Sequence, residues 1–414
     1  MADIVLSASV RQNLLSLQST ADLLSTTQNR LATGKKVNTA LDNPTNFFTA
    51  SSLDSRASDI NNLLDGIGNG VQVLQAANTG ISSLQKLVDS AKSVANQVLQ
   101  TQVGYSTKAN ITTTAPTGAG ALAVPGTATD LTNAGTNSLQ GTTLVFKTSA
   151  TATSTFTFSN VAGATNFNSV DSLNTLLAAN NIQLIANFNS AGTITFTSTN
   201  EAASQTITKT GTYAAPPAGS TSSVDISGTA TTGAVTAAVA DVNSQTTRGN
   251  LVSQYNNIIQ QIATTAQDAS FNGINLLNGD TLKLTFNETG KSTLNINGVT
   301  FNPAGLGLTT LVSGADFIDN TSANRVLSAL NSAGYSLRSQ ASTLGSNLSI
   351  VQIRQDFSKN LINVLQTGSS NLTLADTNEE AANSQALATR QSIAVSALAL
   401  ANQSQQSVLQ LLRT

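Results

Sequence analysis

The sequence predicts a mainly α fold: a long coiled-coil helical rod formed by the N- and C-terminal regions plus a β-hairpin, with an inserted strand-rich α+β module. Three observations predict it. Apolar residues recur at alternating steps of four and three residues near both ends of the chain. A Thr-, Ala- and Ser-rich middle, residues 104–245, interrupts this beat with short alternating runs. Charged residues make up 10% of the 414 positions, and histidine and cysteine are absent.

At the N-terminal end, Val10, Leu14, Leu17, Ala21, Leu24 and Leu31 keep the beat, and Gln28 is the one polar step. Such spacing lines one side of a helix with an apolar seam that needs a partner helix. The helix is predicted over residues 7–32 and ends at Gly34, with Lys35 and Lys36 suited to the negative end of its dipole. Asp42, Asn43 and Pro44 mark a turn over 37–46. From 49 to 102 the seam returns through Leu53, Ala57, Ile60, Leu64, Ile67, Val71, Leu74 and Ile81. At ~1.5 Å per residue that helix is on the order of 80 Å long, so other helices of the chain, neighbouring subunits or both must cover it.

Within the middle, runs 143–147, 155–158, 182–188 and 193–197 alternate as strands do, and 169–179 carries Val170, Leu173, Leu176 and Leu177 at helical spacing. The order strand, strand, helix, strand, strand predicts a small α+β module. Its flanks, hydroxyl-rich at 112–116, 127–129, 148–155 and 221–232, read as flexible. Helical spacing resumes at Leu251, Tyr255, Ile258, Ile262 and Ala269. Runs 281–286 and 293–299 then pair as a hairpin around 287–291. A last long seam holds Leu330, Leu337, Ala341, Leu344, Leu348, Val351, Ile362 and Leu365, and polar turns are predicted at 367–371. The C-terminal helix carries Ala394, Leu398, Ala401, Val408 and Leu412, flanked by Ile393, Ala397, Leu400 and Leu411.

Composition removes whole mechanisms. Without His or Cys there is no Ser-His-Asp or Cys-His nucleophile, no Cys/His zinc site, no His- or Cys-ligated haem and no disulfide. The net charge of -2 offers no basic field for nucleic acid or an anionic membrane. No stretch approaches the ~18 uninterrupted apolar residues of a membrane span. The first ten residues lack the basic and apolar regions of a secretory signal peptide, so none is expected. A carboxylate-only enzyme is the chemistry left open.

Three phrases carry a family resemblance: Leu31-Ala-Thr-Gly-Lys-Lys-Val-Asn38 with Asp42-Asn-Pro44, Phe271-Asn-Gly-Ile-Asn-Leu-Leu277, and the run from Ala401 to Arg413. Together, and in this order, they resemble bacterial flagellin over residues 1–103 and 246–414. The resemblance implies a filament subunit whose terminal helices line an inner tube, with a helical rod around them and the inserted module outermost. It also implies uncleaved export through a flagellar type III apparatus after binding of an export chaperone, and contact with hook-associated and cap proteins. Two features depart from many flagellins. The insert precedes the Leu251 helix, and Ser90-Ala-Lys-Ser-Val94 stands where an Arg-Val-Arg-Glu-Leu phrase is recognised by an innate receptor in some members.

Other patterns have bland readings that outweigh the sharp ones. Gly66-Ile-Gly-Asn-Gly70 looks like a phosphate loop, yet Ile60, Leu64, Ile67, Val71 and Leu74 keep register across it. Helix with glycines admitting a close neighbour is therefore the better reading. Asp316 with Asp319, and Glu379 with Glu380, read as solvated loop charge or first-turn helix charge rather than catalytic pairs. The Ser/Thr-rich middle reads as a soluble shell, with glycan or host contact as the alternative.

The expectation is therefore a structural, self-assembling secreted protein with no cofactor and no catalytic residue. The inner domain is predicted at 1–42 and 376–414, the rod at 43–103 and 246–375, and the outer module at 104–245. Residues 1–36 and 385–414 are expected to order only on polymerisation, because isolated helices are marginal in water. The subunit-packing side chains are predicted to be Val10, Leu14, Leu17, Leu24, Leu31, Ile60, Leu64, Ile67, Val71, Leu74, Leu398, Ala401, Val408, Leu411 and Leu412. The runner-up is a hook–filament junction protein; an adhesin or carboxylate enzyme carried on the insert is the third reading.

Overall fold

The structure, a computed structural model, describes residues 8–113, 141–159, 161, 163–188, 193–215, 220, 222–228 and 233–411. Two helices come first, α1 (Ala8–Thr33) and α2 (Pro44–Gln100). The insert contributes β1 (Tyr105–Thr107), β2 (Asn110–Thr112), β3 (Thr143–Lys147), β4 (Thr153–Phe158), β5 (Asn166–Phe167), α3 (Val170–Ala179), β6 (Leu184–Phe188), β7 (Ile194–Ser198), β8 (Thr206–Thr208), β9 (Ser223–Ser227), β10 (Val235–Thr236) and β11 (Val239–Ala240). There follow α4 (Val242–Asp268), β12 (Thr281–Thr285), β13 (Thr293–Asn297), α5 (Asn320–Thr373) and α6 (Thr377–Leu411).

Met1–Val71, Lys283–Asn295 and Ser349–Thr414 make one compact unit. Here α1 ends where Gly34 takes φ +68°, a left-handed conformation that glycine adopts without a Cβ clash. The Asp42 carboxylate ties the next loop, accepting from the backbone N–H of Thr39 at 2.8 Å and of Asn38 at 3.0 Å. Those N–H groups, Thr39 first, hold its carboxyl below the ordinary 3.8. Asn43 Oδ1 accepts from Asn46 N–H at 3.0 Å and starts α2, with Pro44 at the first helical position. That cap explains why α2 begins ahead of the predicted residue 49. Ala57 and Ile60 of α2 pack on Ile362 and Leu365 of α5.

The glycine-rich phrase in α2 is unbroken helix. A Cβ on Gly70 would stand 2.4 Å from Leu284 Cδ2, whereas Gly66 has nothing within 4 Å. Only Gly70 of the pair is required by a close neighbour. The polar turns predicted at 367–371 do not form, because α5 continues to Thr373. Gly368 there faces Leu53 Cδ1 at 3.5 Å from a would-be Cβ, and Thr373 Oγ1 donates to the Ser369 carbonyl at 2.9 Å. Small and hydroxyl residues at this point satisfy helix packing and back-bonding rather than a turn.

Gln72–Leu282 and Ile296–Leu348 make the second unit. Leu74, Ile81, Leu84 and Val88 of α2, Leu251, Tyr255 and Ile262 of α4, and Leu330 and Leu337 of α5 are all buried in it. Gly80 lets the chain after α4 approach α2: a Cβ there would lie 2.6 Å from Ala269 Cβ. The insert holds its own core between a four-stranded sheet, β10-β2-β7-β6, and a five-stranded sheet, β5-β4-β3-β9-β8. Phe146, Phe156, Phe158, Phe167 and Phe196 are fully buried, and Phe146 meets Phe196 edge-on with ring centroids 5.5 Å apart. Ser169 caps α3 through a reciprocal bond with Ser172, and Leu173 and Leu177 face the phenylalanines.

The four predicted strands and one helix of the insert are all present, but the sheets recruit more. The tract 221–232, read as a flexible flank, contains β9, whose Val224 and Ile226 are completely buried. Asp225 between them accepts from Thr208 Oγ1 at 2.9 Å and Thr210 N–H at 2.7 Å. The flank is thereby tied to the sheet. Tract 127–129 and residues 114–116 lie outside the described residues.

Candidate functional site

In the first unit the chain's two ends meet: α1 lies against α6. A short backbone lock fastens the base of the pair. Lys36 N–H donates to the Thr373 carbonyl at 2.7 Å, and Ala375 N–H donates to the Gly34 carbonyl at 3.0 Å. Arg30 Nη1 reaches Glu380 Oε1 at 3.4 Å. Asp376 Oδ1 caps α6, accepting from Asn378 N–H at 2.9 Å and Glu379 N–H at 3.3 Å. Glu379 and Glu380 then sit in the first turn, where the helix dipole favours negative charge, as the sequence indicates.

On α6 the half-buried or buried positions are Glu380, Ser384, Leu387, Gln391, Ala394, Leu398 and Ala401, a heptad beat. On α1 they are Val10, Asn13, Leu17, Thr20, Ala21, Leu24, Thr27 and Arg30. The contact seam of α1 is thus turned by about one residue from the leucine-rich line of the sequence. Asn13, Thr20 and Thr27 enter it, and Leu14 and Leu31 stand outside. A two-helix pair covers one stripe of each helix, and these seams interleave Val10, Leu17, Leu24, Leu387 and Leu398 with small and polar residues. What remains outside is greasier than what is inside. Leu15 is 66% exposed, Leu23 54%, Ile393 63% and Leu400 69%.

The fifteen predicted packing residues divide accordingly. Val10, Leu17, Leu24, Leu398 and Ala401 face the partner helix within the same chain. Leu14 and Leu31 are exposed. Ile60, Ile67, Val71 and Leu74 are buried and Leu64 is half-buried within the single chain. Of Val408 and Leu411 only the helical backbone is described, and Leu412 lies outside the described residues. Sequence reasoning missed an outward ridge on α5, where Ile350, Ile353, Phe357 and Val364 are exposed at steps of three, four and seven. The spacing was legible, but the inner seam of the same helix masks it.

The second unit holds a buried polar joint at the root of the insert. Arg248 is 2% exposed, and its guanidinium donates to the carbonyls of Phe317 (2.6 Å), Gln102 (2.8 Å), Thr101 (3.1 Å) and Val98 (3.2 Å). Three of these carbonyls close the end of α2, where the helix supplies no donor. Burial lowers the Arg248 pKa, opposed by the charge of Asp319. Asp319 caps α5 through Ser322 N–H at 3.0 Å and accepts from Ser204 Oγ at 2.8 Å. Asn320 and Thr321 N–H bind the carbonyls of Asn200 and Glu201 in the insert, at 3.2 and 3.0 Å. Of the two expected roles, solvated loop charge and charge at a helix start, Asp319 takes the second, and it is fully buried rather than solvated. Asp316, by contrast, bonds Val312 N–H at 2.8 Å and pairs with exposed Arg325 at 3.3 Å. The Arg248 guanidinium holds four backbone carbonyls and Asp319 holds a helix start and the Ser204 hydroxyl, an arrangement that organises structure.

Among the described residues, no three His, Cys, Asp or Glu side chains gather to hold a metal, and no helix is long and apolar enough to cross a membrane. The architecture is that of a chain whose two ends close on each other as long helices, with a β-rich insert between them. Residues 6–115 match the bacterial flagellin N-terminal helical region, and residues 327–412 match the bacterial flagellin C-terminal helical region. Both helical ends of the chain are thus matched by the bacterial flagellin family, in the same order. It is similar to flagellin FljK of Caulobacter vibrioides, 34% identical over 179 residues, which is 42% of this chain and 64% of the relative. Flagellin FljM of the same organism is 32% identical over 179 residues, again 42% of this chain and 64% of the relative. A flagellin of Brucella melitensis is 28% identical over 177 residues, 40% of this chain and 62% of the relative. The matched part thus spans a little under two thirds of the length of these curated relatives.

Proposed function

We propose that this chain is a structural subunit that self-assembles into the bacterial flagellar filament through its terminal helices and serves swimming motility. The observation that carries the reading is the unpaired apolar ridge of the α1–α6 pair: Leu15, Leu23, Ile393 and Leu400 face solvent after the two helices have met. Burying each leucine or isoleucine is worth about 1.5–3 kcal/mol, and in this unit only further chains offer cover. The ridge Ile350, Ile353, Phe357 and Val364 on α5 adds a second surface of the same kind. In this reading an export chaperone holds the C-terminal segment before release. The export apparatus, hook-associated proteins and cap proteins are the other partners this reading names. The working location is the extracellular filament, and the protein acts there as a scaffold without catalysis.

Electron microscopy of the purified chain under assembly conditions tests the reading. Long tubes are expected; short rings or no polymer would favour a junction piece. Removing residues 1–42 and 376–414 should abolish tubes, and tubes from the trimmed chain would end the proposal.

A further inference from the structure

Among the described residues the two larger sheets of the insert have four edge strands, and three are very short: β5 and β10 have two residues each and β8 has three. The fourth, β6, has five, and is the one edge long enough to template another strand. Its sequence makes the hazard worse. Residues 182–188, Ile-Gln-Leu-Ile-Ala-Asn-Phe, contain no charge and no proline, the composition that favours intermolecular β pairing. Edges are ordinarily guarded by lysine or proline, and a chain with 10% charge has none here. Ile185 is 45% exposed, and Asn174, Ala178, Ile182, Leu184 and Ile185 help line a cleft of about 440 Å³, room for an extended backbone.

One side chain occupies the pairing position. Asn174, on α3, accepts from the Ala186 N–H through Oδ1 at 2.7 Å and donates from Nδ2 to the Ala186 carbonyl at 3.1 Å. Ala186 is the central residue of β6, pairing Phe196 of β7 on the other side. A carboxamide presents one donor and one acceptor, the same pair that a backbone peptide presents to a neighbouring strand. We infer that Asn174 locks the β6 edge, standing in for a fifth-strand peptide unit and excluding the β6 edge of a second copy. The lock acts whether or not the chain polymerises, and matters most wherever copies crowd.

The test uses the full-length chain, its Asn174→Ala variant and a fluorescent synthetic peptide of residues 182–188. Fluorescence anisotropy should show the peptide binding the variant at least tenfold more tightly than the unsubstituted chain. Adding Ile185→Lys to Asn174→Ala, which sets a charge on the opened edge, should return binding to the starting level. Equal binding by the unsubstituted and Asn174→Ala chains overturns the inference, provided circular dichroism finds the variant folded. Should Asn174→Ala fail to fold, amide exchange of the unsubstituted chain decides. Ala186 N–H protected like the interior ladder of β7 supports the lock, and Ala186 exchanging as a free edge amide refutes it.

Discussion

The terminal helix pair and the strand-rich insert share a sequence poor in charge, yet they treat apolar side chains in opposite ways. The insert closes around its own phenylalanines, and its sheets reach into hydroxyl-rich flanks to finish the job, as buried Val224 and Ile226 demonstrate. The helix pair mixes threonine, asparagine, serine and alanine with a few leucines where its members touch, and leaves Leu23, Ile393 and Leu400 outside. A self-sufficient core and an unfinished one sit on the same chain. The difference teaches that self-sufficiency follows from where apolar groups point: α6 turns Leu387 and Leu398 inward but leaves Ile393, Val395 and Leu400 exposed.

The strongest break in this comparison comes from the insert. Phe196→Ala should destabilise the insert by about 3–5 kcal/mol, read by denaturant unfolding, while tube growth at saturating concentration persists. Next is the joint: Arg248→Met removes the guanidinium from the carbonyls of Thr101, Gln102 and Phe317, and leaves that of Val98 to Thr101 alone. A loss of about 3 kcal/mol is expected, with faster amide exchange at the end of α2. Alkaline pH sharpens the contrast further. Burial, and secondly Asp316, pushes the Tyr255 phenol from 10.0 up to about 12. The folded state therefore holds the proton more tightly. Its stabilising effect is complete below pH 10 and fades as pH rises toward 12, by about 2–3 kcal/mol in all. Urea midpoints on either side of this window, compared with those of Tyr255→Phe, measure it; equal slopes for the two chains would contradict it. The smallest effect on the single chain belongs to Ile393→Ser with Leu400→Ser, within about 0.5 kcal/mol per exposed site. The same pair should raise the concentration needed for tube growth several-fold, measured by sedimentation.

Much of this was legible in the sequence for a plain physical reason. Heptads and strand alternation are local periodicities, so α1, α2, α4, α5, α6, the β12–β13 hairpin and the four main strands of the insert announce themselves. Gly34 and Asp376 give helix ends away because capping is local too. What escaped needed distant partners. Asp319 looks like any acidic residue before a helix until Arg248 and Ser204 arrive from elsewhere in the fold. The strand β9 hides because serine and threonine serve both loops and sheet faces. The rotation of the α1 seam, which brings Thr27 in and puts Leu31 out, depends on the small residues of α6 and cannot be read from α1 alone. Likewise, the cover that α5 gives Ala57 and Ile60, and the close approach of hairpin Leu284 to Gly70, cannot be read from α2 alone.

Backbone amide exchange of α1 and α6, measured on the dilute chain and again on the assembled polymer, tests most directly whether these helices depend on other copies. The expected result is rapid exchange over both helices in dilute solution, strong protection in the polymer, and no comparable change in β3, β7 or β9. Equal, strong protection of α1 and α6 in both states would contradict it, since the pair would then be complete without a neighbour.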